Sequence, residues 1–243
     1  MTAPVIAQSE PVIPDFGGGS SCVRENNAFC WDWVKDNWSD VLWPALREHV
    51  VLTVIAVSIG FVIAFALALL AHRRHWLEQP VTIVTGVLYT IPSLALFQIL
   101  VAFTGLTRTT AEIALVSYTL LILFRNTLTG LRGVPDEVRE SARGMGLTNR
   151  QILWRVEVPL AVPSIIAGLR IATVTVISLA TVAAFIVNEG LGVPIFAGIQ
   201  QSVFKTEIYA AGGLAIALAL VAEAMFFAAQ RAATPWARRR RVA

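Results

Sequence analysis

The polar stretch 132–160 holds the residues of this chain best suited to grip a protein partner. Pro135 suits the first turn of a helix, and the carboxylates of Asp136 and Glu137 complement the positive end of the helix dipole. Glu140 follows about one turn later. We expect a short rigid helix that can dock into a cleft on a soluble partner and transmit that partner's motion.

A second short helix is predicted directly after the first. Gly144 or Gly146 can end the first helix. Thr148, with Gln151 three residues later, forms the capping-box pattern that starts another. We expect the second helix to stop before Pro159, since proline lacks the amide donor. Such a helix–turn–helix exceeds what a simple channel requires and fits a mechanical coupling element.

The elements that must position this stretch are apolar. Of the 243 residues, 56% are hydrophobic and 14% charged, against about 25% charged in a soluble domain. Mean hydropathy is +0.68. A membrane-spanning helix needs about 20 apolar residues, and five blocks reach that length: 50–70, 81–104, 111–131, 163–187 and 208–229. The sequence predicts an all-α fold, a polytopic transmembrane helical bundle with five spans.

The distribution of lysine and arginine predicts the orientation of the spans. If the first span runs inward, twelve of these residues fall in inner segments and five in outer segments. Positive residues favour the cytoplasmic side, so we expect the N-terminus outside, the C-terminus inside and 132–160 in the cytoplasm. The basic run 238–241 then contacts anionic membrane lipid rather than nucleic acid.

The chain divides into four predicted parts. Residues 1–30 are expected to be a flexible extracytoplasmic tail and 31–48 an interfacial amphipathic helix. The transmembrane domain spans 49–230, including the cytoplasmic coupling loop 132–160, and a basic cytoplasmic tail covers 231–243. The apolar face of 31–48 suits the membrane interface or packing against the bundle equally well.

Several residues leave two interpretations open. Cys22 and Cys30 in the outer segment form either a disulfide or two free thiols. Glu223 lies inside the last apolar block, where a charge costs about 2.5–3.5 kcal/mol. It either lines a translocation path or pairs with an arginine, Arg125 or Arg170.

The second apolar block is interrupted at Ile91, Pro92 and Ser93. Pro92 is expected to break the helix, which frees carbonyls that Ser93 or a neighbouring helix must satisfy. The break either lines a translocation path or only kinks a packed helix.

No residue pattern in the sequence indicates an enzyme. The sequence contains no nucleophile–base pair within a span, no His/Cys cluster with zinc spacing and no G-x-x-x-x-G-K-[ST] phosphate loop. We therefore expect no catalytic residue, no metal site and no cofactor in this chain.

The spacing within 132–160 resembles the "EAA" loop of binding-protein-dependent ABC importer permeases, which reads Glu-Ala-Ala, three residues, Gly, nine residues, Ile, any residue, Leu, Pro. Glu140, Ala142, Gly146 and Pro159 match that pattern outright, and Ser141 replaces an alanine. The resemblance implies a type I ABC importer-like bundle. It also implies that Glu140 docks on an ATPase, Gly146 makes the tight turn and Ala142 allows close approach. Alternatively, Glu140 only pairs with its neighbours Arg139 or Arg143.

A finer resemblance, from about residue 31 to 235, is to permeases for glycine betaine, carnitine, choline or proline. It is carried by the runs 91–96, 125–127, 138–146, 173–174 and 181–185. Where those permeases usually show Gly-Gly-Leu-Gly, this chain has Glu189-Gly190-Leu191-Gly192. A different small polar substrate, such as an amino acid, is the alternative.

The resemblance implies a division of labour among subunits. A separate ATP-binding ABC subunit would hold ATP and Mg²⁺ and hydrolyse the nucleotide. An extracytoplasmic substrate-binding protein would deliver the solute, and a second permease subunit, identical or paralogous, would complete the path in the bacterial inner membrane.

Overall fold

The structure is a computed structural model that describes residues 21–201 and 203–234. Within these ranges the chain is helical and has no β-strand, so the all-α prediction is confirmed. The helices are α1 Ser21–Arg24, α2 Trp31–Asp36, α3 Trp43–Arg73, α4 Glu78–Thr90, α5 Ser93–Thr104, α6 Arg108–Arg132, α7 Asp136–Gly144, α8 Asn149–Ile152, α9 Val158–Ala183, α10 Gly192–Gln200 and α11 Lys205–Ala233. Two π-helical turns, Trp38–Leu42 and Leu153–Glu157, lead into α3 and α9.

Four continuous helical stretches are long and apolar enough to cross a membrane: Trp38–Arg73, Arg108–Arg132, Asn149–Ala183 and Lys205–Ala233. The pair His75–Thr90 and Ser93–Thr104 passes the same criteria jointly but is bent by 99°. Counting that pair as one span gives the predicted five.

The bend falls at Pro92, as the sequence predicts. Ile91 and Pro92 adopt extended backbone, and α5 begins at the next residue. The Tyr118 hydroxyl of α6 donates a hydrogen bond to the Ile91 carbonyl. A neighbouring helix therefore satisfies the carbonyl that the break exposes, as membrane-embedded backbone requires.

Helices α3, α6 and α9 pack together at the centre of the bundle, with α11 against α9. Small residues let these helices approach closely. A Cβ placed on Gly168 of α9 would lie 2.7 Å from the Cβ of Asn126 on α6. Buried alanines such as Ala114 and Ala180 continue this close packing.

The N-terminal segment 21–37 folds against the start of α11 and forms a cap on one end of the bundle, called the cap end below. A disulfide joins Cys22 to Cys30. The Trp33 ring meets Phe204 edge-on at 5.3 Å between centroids, and the buried Cys30 amide donates to the Thr206 hydroxyl at 3.0 Å.

This cap corrects the boundary of the predicted tail. Residues 21–30 are packed: the disulfide closes the segment on itself, and Val23 and Cys30 pack with Phe204 against the start of α11. Residues 1–20 and the basic run 238–241 lie outside the described residues. In the predicted amphipathic helix, Val34 is buried against the bundle and Trp31 is exposed. One face of the segment therefore packs on the bundle, and the other face is left open.

The helix that starts at Asn149 does not stop before Pro159, as the sequence led us to expect. It continues through the π-helical turn Leu153–Glu157 into α9, and Asn149–Ala183 forms one helical stretch of 35 residues. Pro159 sits in the first turn of α9. It directly follows the π-helical turn, in which the Val158 amide donates to the Leu153 carbonyl and the regular i→i−4 pattern is already interrupted. The missing amide of Pro159 therefore falls at an existing irregularity, and the helix continues through it.

Candidate coupling and translocation site

The segment from α7 to α8, residues 136–152, lies at the end of the bundle opposite the cap, called the loop end below. Gly146 separates the two helices with φ at +82°, in the left-handed region that favours glycine. The predicted capping box is present: the Thr148 amide donates to Gln151 Oε1 at 2.8 Å, and the Gln151 amide donates to the Thr148 hydroxyl at 3.4 Å.

The five predicted coupling residues do not share one environment. Glu140, Ser141 and Gly146 are exposed, and Ala142 is buried against the bundle with 2% of its surface accessible. Pro159 lies apart from them, in the first turn of α9. The exposed side of the segment also carries apolar residues, with Met145 at 73% exposure and Val138 at 37%. This surface offers a partner the Glu140 carboxylate beside apolar side chains.

Glu140 does not pair with its helix neighbours. Within the part of the chain that the structure describes, no ion pair or hydrogen bond engages its side chain. Arg139 instead donates from Nη1 to Asp136 Oδ1 at 2.7 Å and from Nε to Glu157 Oε1 at 2.6 Å. Partial burial would lower the pKa of Arg139, but these two carboxylates outweigh it and raise the pKa above its ordinary value.

Glu157 is a site residue that sequence reasoning missed. It ends the π-helical turn before α9 and is 6% exposed. Its Oε2 accepts from His72 Nε2 at 3.0 Å, while Oε1 accepts from Arg139. The one signal in the sequence is a carboxylate enclosed by apolar residues, in Val156-Glu157-Val158, where an unpartnered charge would be costly.

The three predicted path residues lie on separate elements. Pro92 and Ser93 form the break between α4 and α5, and Glu223 is on α11. Glu223 forms an ion pair with Arg170 of α9, and Arg170 also donates to Gln230 at 3.3 Å. Of the two interpretations of Glu223, the structure shows the pair with an arginine. The pair borders a cavity of about 450 Å³.

Comparison with known proteins identifies the family to which this chain belongs. Residues 43–239 match the model of the family described as "Binding-protein-dependent transport system inner membrane component". The chain belongs to this family. It is a permease subunit of the bacterial plasma membrane, crossing it several times.

Two curated relatives are similar to this permease over most of its length. It is 33% identical to the choline transport system permease protein OpuBB of Bacillus subtilis (strain 168), over 83% of this chain and 92% of that protein. It is 38% identical to the carnitine transport permease protein OpuCB of Listeria monocytogenes, over 72% of this chain and 80% of that protein.

A solved structure supports the fold. The structure titled "Inward facing conformations of the MetNI methionine ABC transporter: CY5 native crystal form" aligns with a TM-score of 0.72 at 20% identity. The alignment covers 82% of the permease and 99% of that chain. At this level of identity the likeness concerns the fold alone.

At the cap end, the turn after α9 is fixed to the start of the permease's first span. The Gly190 amide donates to Glu48 Oε2 at 3.0 Å, and the Leu191 amide donates to His49 Nδ1 at 3.2 Å. Gly190 has φ at +84°, and a Cβ there would lie 3.1 Å from His49 Nδ1. These bonds hold the turn against α3.

Glu189, which departs from the resembled pattern, belongs to a charged cluster at the same end. Arg108 Nε lies 3.6 Å from Glu189 Oε2 and 3.7 Å from Glu112 Oε1. Among the described residues, no group of three or more His, Cys, Asp or Glu side chains has the arrangement of a metal site.

Proposed function

We propose that this permease translocates a small compatible solute, such as glycine betaine, choline, carnitine or proline, in an importer driven by a separate ATPase. The 136–152 segment is the contact through which ATP hydrolysis drives the bundle. The observation that carries this proposal is the exposed face of α7 and Gly146. Glu140 extends from it without an internal partner, and Met145 is 73% exposed.

The energetics of that face support docking. An exposed apolar side chain beside an unpaired carboxylate stabilises nothing within the chain itself. Burying Met145 in a partner's cleft would remove its apolar surface from water, at about 25 cal/mol per Å², and Glu140 could meet a cation there. Ala142 faces the bundle, so the docking face and the anchoring face are opposite sides of one helix.

The substrate class is proposed from the relatives. The two similar permeases described above are named for choline and carnitine transport, and both solutes carry a quaternary ammonium group.

The assembly follows the division of labour stated above. An ATP-binding ABC subunit, with ATP and Mg²⁺, docks at the loop end, and an extracytoplasmic binding protein delivers solute at the cap end. A second permease subunit, an identical copy or a paralogue, completes the path. The roles proposed for the site residues are docking for Glu140 and Ser141, close approach for Ala142, the turn for Gly146 and helix entry for Pro159.

The orientation requires the loop end to face the cytoplasm. A cysteine replacing exposed Met145 should react with a membrane-impermeant maleimide only after the cells are permeabilised. A cysteine replacing Ile199, on α10 at the cap end and 48% exposed, should react in intact cells. Labelling of the Met145→Cys variant in intact cells would contradict the proposal.

Docking is tested by reversing one exposed charge at each end. Glu140→Arg should abolish association with the ATP-binding subunit, and with it the ATP hydrolysis that loaded binding protein stimulates. The reason is that arginine would repel the cation on the partner to which the Glu140 carboxylate is proposed to bind. Glu25→Arg, the same reversal on an exposed residue of the cap, should leave association unchanged. Equal association of both variants would refute the docking role.

The substrate is tested on the whole assembly. Proteoliposomes containing both permeases, the ATPase and the binding protein should import labelled glycine betaine in an ATP-dependent manner. Choline, carnitine and proline serve as competitors that rank the solutes. Import of an amino acid other than proline with no uptake of these four would replace the proposed substrate class.

A further inference from the structure

One buried carboxylate at the loop end joins four elements. Glu157, between the π-helical turn and α9, holds Arg139 of α7 on Oε1 and His72 of α3 on Oε2. Arg139 in turn donates from Nη2 to the Leu131 carbonyl near the end of α6, at 2.9 Å. The side chains of Glu157, His72 and Arg139 are 8%, 15% and 16% exposed, so the network is largely shielded from water.

We propose that Glu157 is the positioning residue through which motion of the 136–152 segment reaches the spans. This inference rests on the proposed function, because it assigns to Glu157 the step that follows docking of the ATPase. The carboxylate links α7 to the first span through His72 and to the fourth span through its own backbone.

The geometry explains why this contact transmits motion better than the apolar packing around it. Dispersion contacts tolerate sliding, since each atom pair contributes only about 0.1–0.2 kcal/mol. A charged hydrogen bond of 2.6 Å to Arg139 is directional and shorter than most. Breaking it would leave the buried Glu157 carboxylate with His72 but without the guanidinium, which is unfavourable in a site largely shielded from water. Displacing α7 must therefore carry Glu157 with it.

The chain contains a matched contact that lacks this role. Glu78 Oε2 accepts from Arg132 Nη1 at 2.7 Å, also at the loop end, with side chains 36% and 30% exposed. This pair joins α4 to α6 and does not include the 136–152 segment. Glu78→Gln is therefore the control for removing one carboxylate at this end of the bundle.

The test uses the reconstituted complex and measures two rates, ATP hydrolysis and import of labelled glycine betaine. In Glu157→Gln, hydrolysis should persist, while the solute imported per ATP hydrolysed falls by about tenfold, the factor that 1.4 kcal/mol represents. Glu78→Gln should keep the wild-type ratio. A merely structural role would reduce the amount of folded complex and leave the ratio of each remaining complex unchanged.

Two milder variants keep the inference testable if Glu157→Gln fails to assemble. Arg139→Lys retains a cation but loses the fork that also reaches Leu131, and His72→Gln retains a donor toward Glu157. Each should lower the import ratio by less than Glu157→Gln. Wild-type ratios in both variants, or in Glu157→Gln, would overturn the inference. Absence of ATP-dependent import by the wild-type complex would instead refute the proposed function.

Discussion

The backbone amide of Leu191 donates a hydrogen bond to Nδ1 of His49, a residue 142 positions earlier whose side chain is fully buried. Because an amide can only donate, Nδ1 must be unprotonated, and the ring hydrogen lies on Nε2. Nε2 then donates to the Ile177 carbonyl at 3.0 Å. One neutral imidazole ring thus ties α3, α9 and the turn before α10 together.

Replacing His49 with leucine should therefore destabilise the cap end. The change introduces an apolar side chain of similar size and leaves the buried Leu191 amide without its acceptor, at a cost of about 1–3 kcal/mol. The thermal midpoint of the purified protein in detergent measures the effect. His75→Gln, at a side chain 82% exposed, should leave that midpoint nearly unchanged. Equal midpoints in the two variants would argue against the bridge.

Alanine substitution should have opposite effects at two helical glycines. Gly168→Ala should destabilise the bundle, because the new Cβ would lie 2.7 Å from Asn126 Cβ and force α6 and α9 apart. Gly86→Ala meets nothing within 4 Å and should stabilise α4 by about 0.5–1 kcal/mol, since alanine loses less backbone entropy in a helix. Thermal midpoints of both variants decide this. A stabilising Gly168→Ala would contradict the close approach.

The two cysteines of the chain should be unreactive until they are reduced. They are joined in the structure, so a maleimide should label neither in denatured, unreduced protein and both after reduction. Replacing both with serine should lower the free energy of unfolding by about 2–4 kcal/mol. Reductant should then lower the thermal midpoint of the wild type and leave that of the serine variant unchanged. Two labelled thiols before reduction would exclude the disulfide.

Neutralising one member of the Arg170–Glu223 pair should lower membrane abundance. Glu223→Gln leaves a cation within the spans, and Arg170→Gln leaves an anion, and a lone charge there disfavours membrane insertion. The double variant should regain much of the lost abundance because no lone charge remains. Immunoblots of isolated membranes measure this. Normal abundance with weakened cation uptake in Glu223→Gln would instead assign Glu223 to the translocation path.

The features that the sequence predicts correctly are local. The Thr148–Gln151 capping box depends on two residues three positions apart. The break at Pro92 depends on the chemistry of proline itself. The apolar blocks predict the long helices because a bilayer imposes their length directly.

The features that the sequence does not predict depend on distant residues. The contacts of Glu157 reach Arg139 and His72, 18 and 85 positions away, and no local pattern records such separations. Continuation of the helix past Pro159 was missed because a π-helical turn precedes that residue. Packing of 21–30 against Phe204 became visible only in three dimensions.

The length of the helical stretch Asn149–Ala183 determines how far one of its ends moves when the other end is rotated. Its 35 residues span about 50 Å at 1.5 Å per residue, against roughly 30 Å for the hydrocarbon core of a bilayer. Rocking such a rod by about 5° at one end sweeps the other through roughly 4 Å, most of one 5.4 Å helical pitch. On the proposed function, a slight rotation of this stretch at the loop end is enough to open a passage at the cap end.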